Sequence, residues 1–129
     1  HSTVLFQYIC NEYINNYDFD KHLEDSRKVY EHKCNLMMEC MKKEFHPSVT
    51  FGHPEGGLFV MAFLPDGMDS APFVREAINR GVLSVPGAAF LADESQKSNG
   101  FRLNYSTPSD EQIVKGIEIL GKLTYEWIK

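Results

Sequence analysis

Leu23, Arg27, Tyr30, Cys34, Met37, Met41 and Phe45 follow one another in steps of three and four, which places them on one face of a helix. Arg27 alone interrupts the apolar stripe. The spacing predicts a long helix over Asp20–Phe45, with Asp20 as its N-cap and Lys42 and Lys43 in the last turn, where cations suit the helix dipole. His46-Pro47 stops it, because a residue before proline is pushed out of the helical region. Upstream, Val4, Leu5, Tyr8, Ile9, Tyr13 and Ile14 predict a shorter amphipathic helix, with Asn15-Asn16-Tyr17-Asp18 as the break.

Past Pro47 the period changes. Val49-Thr50-Phe51 and Leu58–Leu64 read as strands joined by the turn His53-Pro54-Glu55-Gly56-Gly57. Phe73, Val74, Ala77 and Ile78 suit a helix over Asp69–Asn79, which Gly81 ends at the position after the cap. Val82–Val85 is a short strand leading into Pro86-Gly87, and Ala92–Gly100 is a polar surface loop. Phe101–Tyr105 alternates apolar residues with Arg102 and Asn104, as a half-buried strand does. The last helix buries Ile113, Ile117, Leu120, Thr124 and Trp127. Its start has two readings, Thr107 as N-cap with Pro108 at the first helical position, or Ser109 as N-cap with Gln112 completing a capping box. The order of elements predicts an α+β fold: a small, mainly antiparallel sheet covered by helices and preceded by two helices.

Composition narrows the class. At 129 residues, 43% hydrophobic and 24% charged, the chain has the size of one globular domain, and a domain of this size buries roughly two-thirds of its unfolded surface. The net charge of −5 argues against a nucleic-acid partner, and no apolar run is long enough to span a membrane. Three cysteines without a secretory leader point to a reducing, cytoplasmic setting. His1 and Ser2 are given no weight, as expected remnants of expression. All glycines and prolines lie from Pro47 onward, consistent with a helical first third and a turn-rich remainder.

His32, Cys34, Cys40 and His46 are close in sequence, but no pair has the spacing that puts two ligands on one helix face, so no metal site is expected. None of the cysteines sits in a glycine-bounded turn beside a histidine, so none reads as a nucleophile. Gly56-Gly57 directly before a strand implies tight bending or a close approach, with an ordinary hairpin turn the simpler account. Pro86-Gly87 reads the same way. Arg102 projects from the strand face opposite Phe101 and Leu103. Its planar fork matches a carboxylate, although these residues alone favour a surface arginine with its stem on the sheet.

Taken in order, Pro54-Glu55-Gly56-Gly57-Leu58-Phe59-Val60, Gly81-Val82, Pro86-Gly87-Ala88-Ala89-Phe90, Phe101-Arg102-Leu103-Asn104-Tyr105-Ser106 and Ile113-Val114-Lys115-Gly116-Ile117 with Leu120 resemble the C-terminal part of class I/II aminotransferases. These are fold-type I enzymes that use pyridoxal 5′-phosphate, and the look is that of the branch holding 2-aminoadipate and aromatic transaminases and MocR-like regulators. Gln7 and the segment Tyr30–Lys33 match its upstream helices, whereas Cys34-Asn35 departs from a position that is often charged in relatives.

The resemblance implies that residues 1–129 are a single domain, the C-terminal small domain of a longer protein, with the long helix reaching toward a large cofactor-binding domain of the same chain. It implies that Arg102 pairs with the α-carboxylate of an amino acid or 2-oxo acid. Gly56, Gly57, Pro86 and Gly87 would line the substrate entrance with backbone. No catalytic, cofactor-binding or metal-ligating residue is implied here, because the Schiff-base lysine, the acid and the phosphate cup lie upstream in the family. Lys97, in Ser95-Gln96-Lys97-Ser98, has neither the spacing nor the position of that lysine. The fragment alone is therefore expected to be inactive and free of cofactor, and the longer protein to be a pyridoxal-phosphate-dependent homodimer. The alternatives are an effector-binding domain of a MocR-type transcription regulator and a free-standing α+β binding domain.

Overall fold

A computed structural model describes residues 3–93 and 95–129, so the expectation for His1 and Ser2 lies outside the described residues. The elements run α1 (Val4–Asn16), α2 (Phe19–Glu44), β1 (Thr50–Phe51), β2 (Phe59–Phe63), α3 (Ser70–Asn79), β3 (Val85–Pro86), a 3-10 turn at Gly87–Phe90, β4 (Gly100–Asn104) and α4 (Asp110–Trp127). Among the described residues the strands form one sheet in the order β1-β2-β4-β3, every neighbouring pair antiparallel. The fold is α+β, with two leading helices and a small antiparallel sheet flanked by helices. None of these helices is long and apolar enough to cross a membrane.

The chain divides into two compact units, one ending at Glu31 and one spanning His32–Lys129, and α2 contributes to both. In the first, the Lys21 N–H donates to Asp18 Oδ1 at 2.9 Å, so Asp18 caps α2 and Asp20 lies inside its first turn. The break accordingly narrows to Tyr17 and Asp18. Tyr13 stacks on Tyr17 at 5.4 Å and meets Phe19 and His22 edge-on. The apolar face expected of α1 is present in the sequence but is not buried: Val4, Leu5, Phe6, Tyr8, Ile9 and Ile14 are each more than half exposed.

In the second unit the stripe of α2 is buried from Cys34 through Met37 and Met41 to Phe45. These residues join Phe73, Val74 and Ala77 of α3, Ile113, Ile117, Leu120 and Leu123 of α4, and the inner sheet face, Val60, Ala62, Phe101 and Leu103. Strand alternation divides the sheet cleanly. Val60 and Ala62 point into this core, whereas Phe59 and Phe63 stay exposed on the other face. The α4 start is decided for Ser109: its Oγ accepts from the Gln112 N–H, and Gln112 Oε1 accepts from the Ser109 N–H at 2.8 Å. Near the other end, Thr124 Oγ1 accepts from the His46 N–H and donates to the Gly121 carbonyl, tying α4 to the end of α2.

The strand expected over Val82–Val85 shortens to Val85–Pro86. Gly81, at φ +85°, closes α3 by donating to Ile78, and the Val82 N–H reaches back to the Ala77 carbonyl. Val82 is thus still part of the helix end, and Leu83 turns out to solvent. Pro86 is tolerated in the ladder because β3 is an edge.

Arg80 clamps α3 to α4. Its Nη1 and Nη2 donate to Glu126 at 2.9 and 2.7 Å while its Nε donates to Glu76 at 2.9 Å. The guanidinium holds both carboxyls below the usual 4.5. Folded values that are depressed in this way stabilise above the ordinary value, and the contribution is lost as pH falls through the lowered ones. The urea midpoint of the chain is therefore expected to drop between about pH 6 and pH 3, and less steeply in Arg80→Ala. Equal slopes in the two proteins would rule the clamp out as a contributor.

Candidate functional site

The site is built on β4. Arg102 lies at its centre, opposite Met61 on β2 and Val85 on β3. Its neighbours Phe101 and Leu103 are buried on the helix side, so alternation turns Arg102 to the open side, half-buried. Its Cζ lies 4.0 Å from the ring centroid of Phe59 and 4.5 Å from that of Phe90. Phe59 arrives from β2, diagonal to Arg102, and Phe90 from the 3-10 turn after β3. A cation this close to a ring face is attracted by the ring's quadrupole, and that attraction uses none of the N–H groups as hydrogen-bond donors. Among the described residues no acceptor takes those N–H groups.

The two glycine turns sit at opposite ends of this strand. Phe59 pairs with Asn104 and the Tyr105 N–H donates to the Leu58 carbonyl, which puts Gly56-Gly57 at the C-terminal end of β4. Gly57 adopts φ +86°, and its carbonyl accepts the Tyr105 hydroxyl at 2.6 Å. Left-handed backbone is the reason for glycine at this position. Gly56 has open space where a Cβ would lie. Pro86 pairs with Phe101, which puts Pro86-Gly87 at the other end. A Cβ on Gly87 would come 2.8 Å from the Gly100 carbonyl oxygen, so close packing within the chain requires glycine there.

Beneath the sheet, Tyr105 also borders Cys34, and burial raises both the phenol and the thiol above their ordinary values. A thiol held protonated in this way is a core residue and a poor nucleophile. Cys40 is raised by burial as well. The other members of the sequence cluster are drawn apart: His32 Nε2 lies 2.7 Å from Asp110, and His46 Nδ1 accepts from the Ser48 N–H. Among the described residues no three His, Cys, Asp or Glu side chains are placed to hold a metal ion. A cleft of about 760 Å³ between the α3–β3 connection and α4 is lined by residues such as Val82, Leu83, Pro108 and Ile113, and Arg102 is not among them.

Pyridoxal phosphate needs a lysine for the Schiff base, an acid at its pyridine nitrogen and an anion-holding turn. Lys33 donates instead to the carbonyls of Ser106 and Pro108, at 3.0 and 2.6 Å. Lys21 and Lys28 lie in exposed pairs with neighbouring carboxylates, Lys43 pairs with the half-buried Glu44, and Lys97 is exposed on the loop before β4.

The sequence pointed to Arg102 and to the turns but not to its two rings. Phe59 read as part of a buried strand and Phe90 as the end of a turn. The alternation of Phe59 with Val60 was the available signal, and it needed the strand register to become a contact.

No family model matches the chain. It is 38% identical to an uncharacterized aminotransferase of Saccharolobus solfataricus over 94% of its own length and 30% of that protein. It is 33% identical to the 2-aminoadipate transaminase of Thermus thermophilus over 95% of its length and 30% of that protein. Among solved structures, an archaeal alanine:glyoxylate aminotransferase superposes with a TM-score of 0.83 at 43% identity, covering 93% of this chain and 30% of that one. An uncharacterized HTH-type transcriptional regulator of Bacillus subtilis matches more weakly, at 25% identity over 97% of the chain and 25% of the regulator. The chain thus spans about three-tenths of the length of the curated aminotransferases it matches. The chain is a fold-type I pyridoxal-phosphate aminotransferase domain, homologous to the 2-aminoadipate and aromatic-amino-acid transaminases and corresponding to the C-terminal portion of such larger chains.

Proposed function

We propose that the longer protein containing this chain is a transaminase that moves an amino group between an amino acid and a 2-oxo acid, and that this chain holds the substrate's α-carboxylate through Arg102. The observation that carries the reading is a guanidinium on the open sheet face, within 4.5 Å of two ring centroids and without an acceptor among the described residues. Two parallel N–H···O bonds from such a fork fix a carboxylate in both position and plane. Fixing the carboxylate fixes the direction of the Cα–H bond, and orientation of this kind removes much of a barrier before any bond changes. When bound in the longer protein, pyridoxal phosphate supplies an electron sink for the charge that develops at Cα.

Gly56-Gly57 and Pro86-Gly87, at the two ends of β4, border the carboxylate site with backbone and small atoms, leaving room for substrate to enter. The reacting groups belong to a large domain of the same protein, and the working form is a homodimer. The apolar face that α1 leaves exposed supports a neighbour of that kind. A regulator that binds an amino-acid effector could use the same arginine, but the higher identity to aminotransferases than to the HTH-type protein favours the enzyme. The longer protein, loaded with cofactor, is expected to form glutamate from 2-oxoglutarate in step with loss of a donor amino acid. Failure across aromatic, aliphatic and dicarboxylic donors, together with donor-dependent binding to DNA, would replace the enzyme with the regulator.

A further inference from the structure

Apolar side chains are abundant on the open sheet face, and they are not distributed evenly around Arg102. Phe59, Phe63 and Phe90 are 40%, 38% and 49% exposed, which is costly for rings with no packing role in the core. Phe59 and Phe90 lie under the Arg102 guanidinium at 4.0 and 4.5 Å, and Phe63 packs instead against Gly100, where a Cβ would meet its ring at 3.0 Å. Arginine has a long stem with many rotamers, and a bidentate grip on a carboxylate requires one of them. Two rings brought in by separate elements, β2 and the 3-10 turn, restrict the rotation of the guanidinium plane. They also displace part of the water around the guanidinium, and lower local polarity strengthens the charge-assisted bonds that it makes.

We infer that Phe59 and Phe90 are positioning residues that act through Arg102, a stacking clamp that pre-orients the guanidinium for a substrate carboxylate. The inference rests on the carboxylate role of Arg102, and the test separates the two. In the cofactor-loaded longer protein, Phe90→Leu and Phe59→Leu are each expected to raise KM for the donor amino acid about tenfold, with kcat changed far less. The dissociation constant of 3-phenylpropionate, an unreactive monocarboxylate, is expected to rise by a similar factor when measured by calorimetry. Phe90→Tyr keeps a ring and is expected to retain tight binding. Phe63→Leu, on the same face and equally exposed, is expected to change nothing, and the cofactor absorbance is expected to be the same in all four variants.

In an Arg102→Ala background the Phe90→Leu change should add no further loss, because the clamp has nothing left to hold. Normal KM and 3-phenylpropionate binding in Phe59→Leu and Phe90→Leu, beside a large loss in Arg102→Ala, would overturn the clamp and leave the carboxylate role standing. A full additional loss in the double variant would also overturn it, by showing that the ring meets the substrate directly. No loss in Arg102→Ala itself would remove the carboxylate role and the clamp with it.

Discussion

Arg102→Ala in the longer protein is expected to lower kcat/KM for an amino-acid donor by about thirty- to five-thousand-fold while lowering the unfolding midpoint only slightly. Truncating one partner of a hydrogen-bonded charge pair in a site that excludes water costs about 2–5 kcal/mol, and that range sets the fold-change. Stability is largely spared because the guanidinium has no acceptor among the described residues, so its loss orphans no buried group and forfeits only its contacts with Phe59 and Phe90. Arg102→Lys should fall between the two, since an ammonium keeps the charge and loses the planar fork. The decisive comparison is with 2-phenylethylamine, a donor without a carboxylate. Its slow turnover should be the same in the native protein and in Arg102→Ala. Equal losses for both donors would show that Arg102 supports the site in some other way.

The neighbouring position should behave in the opposite manner. Phe101→Ala is expected to destabilise the 129-residue chain by about 3–5 kcal/mol, the cost of removing a fully buried aromatic ring and leaving a cavity. Phe101 is 0% exposed, lies 5.1 Å from the Phe73 ring and 6.3 Å from that of Phe45, and so joins β4 to α3 and to the end of α2. In urea the midpoint should fall sharply with an unchanged slope, as for loss of packing without loss of the two-state transition. A shift worth less than about 1 kcal/mol would mean that the core closes around the gap. Adjacent residues of one strand would then be separated experimentally, one serving the ligand and one serving the fold.

Much of this arrangement is legible in the residues themselves. The stripe from Cys34 to Phe45 is buried where the spacing of three and four places it, and the alternation of Phe101 to Tyr105 correctly sends Arg102 to the face opposite Phe101. The N-cap of α2 differed because Asp18 and Asp20 are equally suited by type, and the helix begins at Phe19, which leaves Asp18 to accept from the Lys21 N–H. Val82 read as strand by its β-branched side chain, but its N–H is held by the Ala77 carbonyl at the end of α3, and tertiary context overrode propensity. The apolar face of α1 was legible as a pattern, yet pattern alone does not say what covers it.

What the sequence determined by itself is therefore what depends on near neighbours: the helical first third without glycine or proline, the strand alternation, the glycine-marked turns at Gly57 and Gly81, and the order of motifs that carries the family resemblance. These follow from backbone sterics and from periods of 3.6 and 2, which act over a few residues. Only the tertiary structure decided that Phe59 and Phe90 meet on Arg102. That contact depends on the register of β2 against β4 and on the path of the chain after β3. A slip of one residue in either would have turned a ring to the other face, and the local sequence would have been the same.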